Sequence, residues 1–492
     1  MKDNHHPSTR YQQLAESYAE AIHLGTYLPG SRLPGIRRCA STHGVSINTV
    51  LAAWQVLEDR GLIESRPQSG YFIRNKLQTP AAIPRHHSKV LAPGGDKLAL
   101  IETVFAAQNH PEYINIALAC PQHSDFIPSV KLARISTTLL RHDPHLIGRY
   151  AVLPGDSRLL QQICRRAMGL GIPLIPDDIT LTHGCMEALQ LALRSVTKPG
   201  DCVGLETPAF FYFFPLLATL GLKSIEIPTD TQTGLSLDAL EILLQEGRIQ
   251  ALAVMPTVQN PLGCTMPVAN KKKLAALLQR YRIPMIEDGL YAELHYAGHT
   301  PAVKAFDKQG WVLYCTSFTK TLAPDFRIGW IAAGRFHQQV RRLKAISSMA
   351  EPALLTATLG HFLENGGYDH HLRSLRRRYQ HQIDQTRGVI ARYFPRGTRA
   401  TRPDGGFLLW VELPDEINSM ELFHRLLQEN ICLVPGPLHS LNQRFDNALR
   451  ISTCFPFEGP YGRAIERVGQ LACEMSGLPA GVIQSDFQNE DK

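Results

Sequence analysis

Apolar residues first fall into register at Leu14, Tyr18, Ile22 and Leu24, at roughly helical spacing, and Gly25 with Pro29-Gly30 marks a stop, so a helix is predicted there. A second helix is predicted after Pro34, running through Arg37, Arg38 and Ala40 to a break at His43-Gly44. Ser46 is placed to cap a third, which carries Thr49, Val50, Ala53, Trp54 and Leu57. Two short helices across a glycine-containing turn make a helix-turn-helix pattern. Past Gly61, Leu62-Ile63 and the run from Arg66 through Ser69-Gly70 to Tyr71-Phe72-Ile73 predict a two-stranded hairpin. A small helical cap or a dimerisation arm would show the same spacing.

From residue 98 onward the pattern changes. CVGLE (202–206), ALAVMP (251–256), PMIEDG (284–289), VLYCTS (312–317) and IGWIAA (328–333) read as strands, interleaved with helical stretches such as LDALEILLQEG and KKKLAALLQRY. This alternation predicts a mostly parallel sheet covered by helices, with ligands at the strand ends. Between the two regions lies NKLQTPAAIPRHHSKVLAPGGDK, where Pro80, Pro84 and Pro93 precede Gly94-Gly95 and no period is visible, so residues 75–97 are predicted to be a linker. The expected organisation is therefore 1–74, a linker, and 98–492. No repeat of 20–50 residues is visible, which excludes solenoids and propellers.

At 492 residues, 44% hydrophobic and 19% charged, the chain can bury large cores. The most apolar segment, PAFFYFFPLLATLGL, is short and broken by Pro215, so no membrane span is expected. The polar start MKDNHHPSTR lacks an apolar export signal, which points to the cytosol. Ten scattered cysteines without a C-x-x-C pair argue against zinc ribbons and disulfide frameworks, and no His-Glu-x-x-His spacing occurs, so no metal is expected. A net charge of +7 is mild for this length, and residues 1–76 carry nine basic against six acidic side chains, so charge alone does not identify a nucleic-acid partner. The basic run HLRSLRRRYQHQ (371–382) could face DNA, but a solvated helix face is the commoner explanation.

Chemistry decides more. The run GTYLPGSRLPGIRRCASTHGVSINTV, followed by LEDRGLIESRPQSGYFIR, closely resembles the winged helix-turn-helix DNA-binding domain of the GntR family of bacterial regulators over residues 11–74. The resemblance implies DNA contacts from Arg37 and Arg38 on the second helix, from Ser46, Asn48 and Thr49 at the start of the recognition helix, and from Arg66, Ser69 and Gly70 on the wing. Many family members carry arginine after the position of Ser46, where this chain has Ile47. The two-point contact that a guanidinium makes with guanine is thereby lost, while apolar contact with a thymine methyl stays available.

In the second region, SFTKTLAPDFRIG (317–329) places Lys320 three residues after Ser317 and seven before Arg327. Such an amine can meet a cofactor aldehyde while a hydroxyl and a guanidinium hold its phosphate. A lone lysine is more often a solvated surface residue, but MPTVQNPLG adds Asn260 and IEDGLYAEL adds Asp288 and Tyr291. A carboxylate against a pyridine nitrogen keeps it protonated and makes the ring an electron sink. Together these residues resemble the class I and II aminotransferases, enzymes of fold type I that use pyridoxal 5'-phosphate (PLP), over about 112–475.

The resemblance implies an α/β fold with a large domain around a mixed, mostly parallel sheet and a small α+β domain. Lys320 would be the Schiff-base lysine, Asp288 would pair with the ring nitrogen, and Asn260 and Tyr291 would bond the ring hydroxyl. Ser317, Arg327 and the backbone of Gly184-Cys185-Met186 would bind phosphate. Phe210 would stack on the ring, although an ordinary core phenylalanine reads the same. Tyr150 would reach the phosphate of a partner subunit, and Arg450 would grip an effector or substrate carboxylate.

The order winged helix, linker, aminotransferase-like domain resembles the MocR subfamily of GntR regulators. That implies a bacterial homodimer that binds promoter DNA and takes PLP, alone or joined to an amino compound, as its effector. The alternative is an active PLP-dependent aminotransferase carrying an accessory DNA-binding domain.

Overall fold

The computed structural model describes residues 9–23, 27, 31–66, 69–74, 96–121, 123–365, 367–442 and 444–481. The chain divides into two compact units between Gln78 and Thr79. That point falls in the stretch read as a linker, whose residues 75–95 lie outside the described residues, as do Leu24, Gly25, Pro29 and Gly30.

In the first unit α1 (Arg10–His23), α2 (Ile36–His43) and α3 (Ile47–Asp59) precede a hairpin of β1 (Ile63–Arg66) and β2 (Gly70–Ile73). Gly44 ends α2 at φ 62°, a left-handed turn that glycine adopts without strain. The Ser46 hydroxyl then accepts from the Thr49 amide at 3.1 Å and starts α3. Val50, Ala53, Trp54 and Leu57 are fully buried, and Trp54 packs edge-on against Tyr18 of α1. The hairpin pairs Ile63 with Ile73 and Arg66 with Gly70. Amide bonds from Leu33 to Tyr71 and from Ile73 to Ser31 lay a third extended segment beside it.

The second unit begins with α4 (Asp96–Asn109), β3 (Ile114–Asn115), α5 (Ser129–His142) and α6 (Ser157–Gly169). Then β4 (Ile179–His183) runs into α7 (Gly184–Val196) and β5 (Cys202–Thr207) into α8 (Phe213–Thr219). β6 (Lys223–Asp230) turns back as β7 (Gly234–Leu235) before α9 (Leu237–Gln245), and β8 (Ala251–Val254) leads through α10 (Val268–Tyr281) to β9 (Met285–Asp288). β10 (Val312–Ser317), β11 (Ile328–Ala332) and α11 (His337–Ser347) complete this layer.

These strands form an eight-stranded sheet in the order β4-β11-β10-β9-β8-β5-β6-β7. It is parallel from β10 through β9, β8 and β5 to β6, and β11 and β7 run the other way. Both faces are covered, so the strands are buried along most of their length, with a few buried polar residues such as Glu206, Glu226, Glu287 and Asp288 among the apolar ones. Along β8, Ala251 and Ala253 face one apolar cluster while Leu252 and Val254 face another.

α12 (Ala353–Glu364) and the 27-residue α13 (Gly367–Tyr393) lead to a second layer built from β12 (Arg399–Ala400), β13 (Leu408–Glu412), α14 (Ser419–Gln428), β14 (Ile431–Cys432), β15 (Val434–Pro435), β16 (Ala448–Ser452) and α15 (Pro460–Ser476). An antiparallel four-stranded sheet, β12-β13-β16-β15, lies at its centre, and β14 pairs with β3. On α13 Leu372, Leu375 and Tyr379 are buried while Arg373, Arg377 and Arg378 face solvent, and Arg376 turns back to the Glu293 carbonyl. All ten cysteines are free thiols. Among the described residues no helix is long and apolar enough to cross a membrane, and no cluster of His, Cys, Asp or Glu is placed to hold a metal ion.

Candidate functional site

The ends of β9 and β10, the start of α7, the loop after β8 and strand β16 converge on one cavity of about 260 Å³. Ten of the residues singled out in the sequence line it: Cys185, Met186, Phe210, Asn260, Asp288, Tyr291, Ser317, Lys320, Arg327 and Arg450.

Asp288, the last residue of β9, is 1% exposed. Its Oδ1 accepts from the Leu290 amide at 2.9 Å and from the Cys185 thiol at 3.5 Å, while Oδ2 has no partner. Burial raises its pKa to about 6, against the pull of the Leu290 amide, Cys185 and the Lys320 charge. Lys320, three residues beyond β10, donates to the Ala119 carbonyl at 2.5 Å, and burial holds its ammonium below the usual lysine range. Asn260 is also buried, with its Oδ1 unpartnered. Arg450 on β16 donates Nη2 to the Ala117 carbonyl, leaves Nε unpartnered and lies over the Phe211 ring. Buried polar atoms in native folds are nearly always satisfied, so orphans from three separate segments around one cavity mark a ligand site.

At the other end, Arg327 adopts a left-handed conformation at φ 53° and its guanidinium lies against Gly184. Gly184 opens α7 at φ 76°, and a Cβ there would sit 2.9 Å from Arg327 Nη2. Gly329 is equally constrained, since its Cβ would meet the Gly184 carbonyl carbon at 2.7 Å. A guanidinium, the Ser317 hydroxyl and the amides of a helix start thus form a cradle suited to a phosphate. Gly184→Ala is expected to cost about 1–2 kcal/mol from backbone strain alone. By displacing Arg327 it should also weaken PLP binding roughly tenfold while leaving pyridoxal, which lacks the phosphate, unaffected. Titration of both ligands checks this.

The lysine loop is held from behind. Tyr368 Oη gives its proton to Glu293 at 2.8 Å and takes the Thr321 hydroxyl proton at 2.7 Å, and His371 Nε2 meets the Thr321 carbonyl at 2.7 Å. α13 therefore fixes the residue next to Lys320.

Tyr150 is not brought into this cavity. It is 73% exposed and donates to Met349 Sδ at 3.0 Å. Missing from the sequence reading were Phe105 and Gln108 of α4, Leu118, Ala119, Tyr212 and Thr319, which line the cavity together with Leu189, Phe211 and Leu290. Thr319 lies inside the lysine motif and could have been read there, but Phe105 and Gln108 carry no motif.

On the first unit Arg37, Arg38, Ser46, Asn48 and Ser69 are exposed. Ser46 and Thr49 are joined to each other at 2.8 Å in capping α3. Arg66 pairs with Glu64 and lies over the Phe72 ring, and Gly70 turns the hairpin at φ 96°.

The aminotransferase class I and II family model matches residues 94–467. The chain belongs to that family. Residues 10–73 match the model of bacterial regulatory proteins of the gntR family. The chain is 36% identical to YjiR, an uncharacterized HTH-type transcriptional regulator of Escherichia coli, over 94% of its own length and 98% of the relative's. It is 35% identical to a second, YdcR, over 94% and 99%. The second unit is similar in structure to LysN, an α-aminoadipate aminotransferase of Thermus thermophilus solved with N-(5'-phosphopyridoxyl)-L-leucine, with 25% identity, a TM-score of 0.70, and coverage of 78% of this chain and 97% of that one. This is the architecture of HTH-type transcription regulators with an aminotransferase-like domain, as the likeness to the MocR subfamily implied. The aminotransferase class I and II fold is one that binds PLP.

Proposed function

We propose that the protein is a DNA-binding transcription regulator of the cytosol whose operator affinity is set by PLP, alone or with an amino compound, in the second unit. The observation that carries this is the set of unpartnered buried atoms, Asp288 Oδ2, Asn260 Oδ1 and Arg450 Nε, around a lysine amine in a chain that also carries a winged helix. PLP supplies an aldehyde for that amine and a ring that withdraws electrons.

Asp288 would hold the ring nitrogen protonated, Asn260 and Tyr291 would bond the ring hydroxyl, and Phe210 would cover one face. Ser317, Arg327 and the Gly184-Cys185-Met186 amides would take the phosphate. Arg450 would hold the carboxylate of an amino compound. The exposed position of Tyr150 suits a reach into the cavity of a second copy, and we therefore place the protein as a homodimer. Arg37, Arg38, Asn48, Arg66 and the Ser69-Gly70 turn would contact promoter DNA, with Ser46 and Thr49 fixing the start of the reading helix. A ligand shifts operator affinity only by binding one arrangement of the dimer better than another.

Operator affinity measured with and without PLP, using Lys320→Ala as reference, is expected to change about tenfold for the wild type and not for the variant. An unchanged wild type that instead turns over an amino donor and a keto acceptor at about 1 s⁻¹ or faster would make it an enzyme with an accessory DNA-binding domain.

A further inference from the structure

One helix face of the first unit carries apolar groups that its own fold leaves uncovered. α3 turns Val50, Ala53, Trp54 and Leu57 inward, all fully buried. Its opposite face presents Ile47, Asn48, Leu51 and Gln55. Ile47 is 47% exposed and Leu51, one turn on, is 40% exposed, and neither belongs to the unit's buried apolar cluster. Two surface aliphatics are unremarkable by themselves, but their surroundings are specific.

They occupy the first two turns of a helix whose first turn holds no acidic residue. Exposed Arg37 and Arg38 lie on the neighbouring α2, and exposed Arg32 and Arg66 lie on the segment and strand of the hairpin. The acidic groups of this part of the unit, Glu58, Asp59 and Glu64, are at the far end of α3 or beyond it, and Asp59 is bonded to Gln55. The surface is therefore an apolar strip with an amide in it, on a helix whose packed neighbours α2 and β1 carry exposed arginines. A partner that fits has a polyanionic frame and small apolar projections between hydrogen-bonding edges. The major groove at A·T pairs has this chemistry: phosphates outside, the thymine C5-methyl inside, and the adenine N6 and N7 edge beside it.

Resting on the DNA-binding reading above, we infer that α3 selects A·T pairs in its half-site through methyl contacts. Ile47 and Leu51 pack on the C5-methyl groups of thymines, and the Asn48 side-chain amide pairs with an adenine edge. The surrounding arginines position the helix on phosphates without reading sequence.

Binding-site selection from a random duplex pool with the full-length, PLP-loaded protein is followed by replacing each selected thymine with deoxyuridine, which removes only the methyl. Selected half-sites are expected to carry thymine under α3, and each critical deoxyuridine should weaken binding roughly three- to fivefold. Ile47→Arg, a surface change whose melting curve should match the wild type, is expected to bind still but to shift the selected pair there from A·T to G·C. Enrichment of G·C by the wild type, or indifference to deoxyuridine, overturns the inference while leaving DNA binding intact. A change in oligomeric state without a change in DNA affinity on Ile47→Ala or Leu51→Ala makes the strip a protein contact and overturns it too. Failure of the wild type to retain any duplex brings down the DNA-binding reading itself.

Discussion

Lys344→Met is expected to lower the stability of the second unit by about 3–5 kcal/mol, a large part of what a domain has in total. The Lys344 side chain is fully buried at the end of α11, 2.5 Å from Glu351, itself 1% exposed, and 2.8 Å from Glu187. Glu351 Oε2 has no partner, and burial pushes the Glu351 carboxyl up while Lys344 pulls it down. Removing the ammonium leaves that carboxylate uncompensated in the interior. Because the orphaned Glu351 can take a proton at low pH, the loss should be larger at pH 8 than at pH 5. Urea unfolding of the full chain at the two pH values measures both effects, and Lys344→Met with Glu351→Met should recover most of the loss.

A second consequence reaches the cofactor site. Glu187 accepts from the His183 amide at 2.5 Å, just before the Gly184-Met186 turn, and although burial pushes Glu187 up, His183, Lys344 and Ser348 together hold it below the usual range. Loss of Lys344 frees one of the groups that anchor Glu187 at the start of α7, so PLP affinity should fall with stability. Unchanged stability at pH 8 would show that water reaches this pair.

What the sequence disclosed was local. The strand read at 312–317 is β10 to the residue, since VLYCTS is bounded by the loops that carry Trp311 and Phe318. ALAVMP extends two residues too far because the Met255 amide is taken by the buried Glu206 carboxylate at 2.7 Å and Pro256 has no amide to give. Ten cavity residues were legible because they sit in compact runs at strand ends and a helix start, where cofactor chemistry demands particular side chains. The walls were not. Phe105 and Gln108 come from α4, and Lys320 is held by a main-chain carbonyl at Ala119, which any residue would supply. Tyr150 was placed by resemblance in the site of another copy, and its exposed position beside Met349 gives no contact with its own cavity. The Lys344 cluster left no trace, because three charged residues that meet only through tertiary packing look like a solvated surface in sequence.

Asp288→Asn is expected to have opposite effects on the cofactor-free and PLP-loaded protein. Burial raises the Asp288 pKa from 3.8 to about 6. Between those values the folded state keeps a proton that the unfolded chain gives up, so the contribution to stability is present below about pH 4 and is lost as pH rises to about 6. For a shift of this size the loss is about 3 kcal/mol. Asparagine carries no charge and escapes it, but its amide would point an unpaired donor to where Oδ2 has no partner, returning about 1–2 kcal/mol. The cofactor-free variant should therefore be about 1–2 kcal/mol more stable than the wild type at pH 8, and this advantage should vanish by pH 4. With PLP the ranking should reverse, because only the carboxylate can pair with a protonated ring nitrogen. Denaturant unfolding with and without PLP at pH 8 tests both signs, and borohydride fixation on Lys320 reports occupancy. A cofactor-free variant less stable than the wild type at pH 8 would mean that Oδ2, like Oδ1, already has a partner within the chain. A reversal on adding PLP would show that the strain of this buried carboxylate is kept in the fold for the ligand that relieves it.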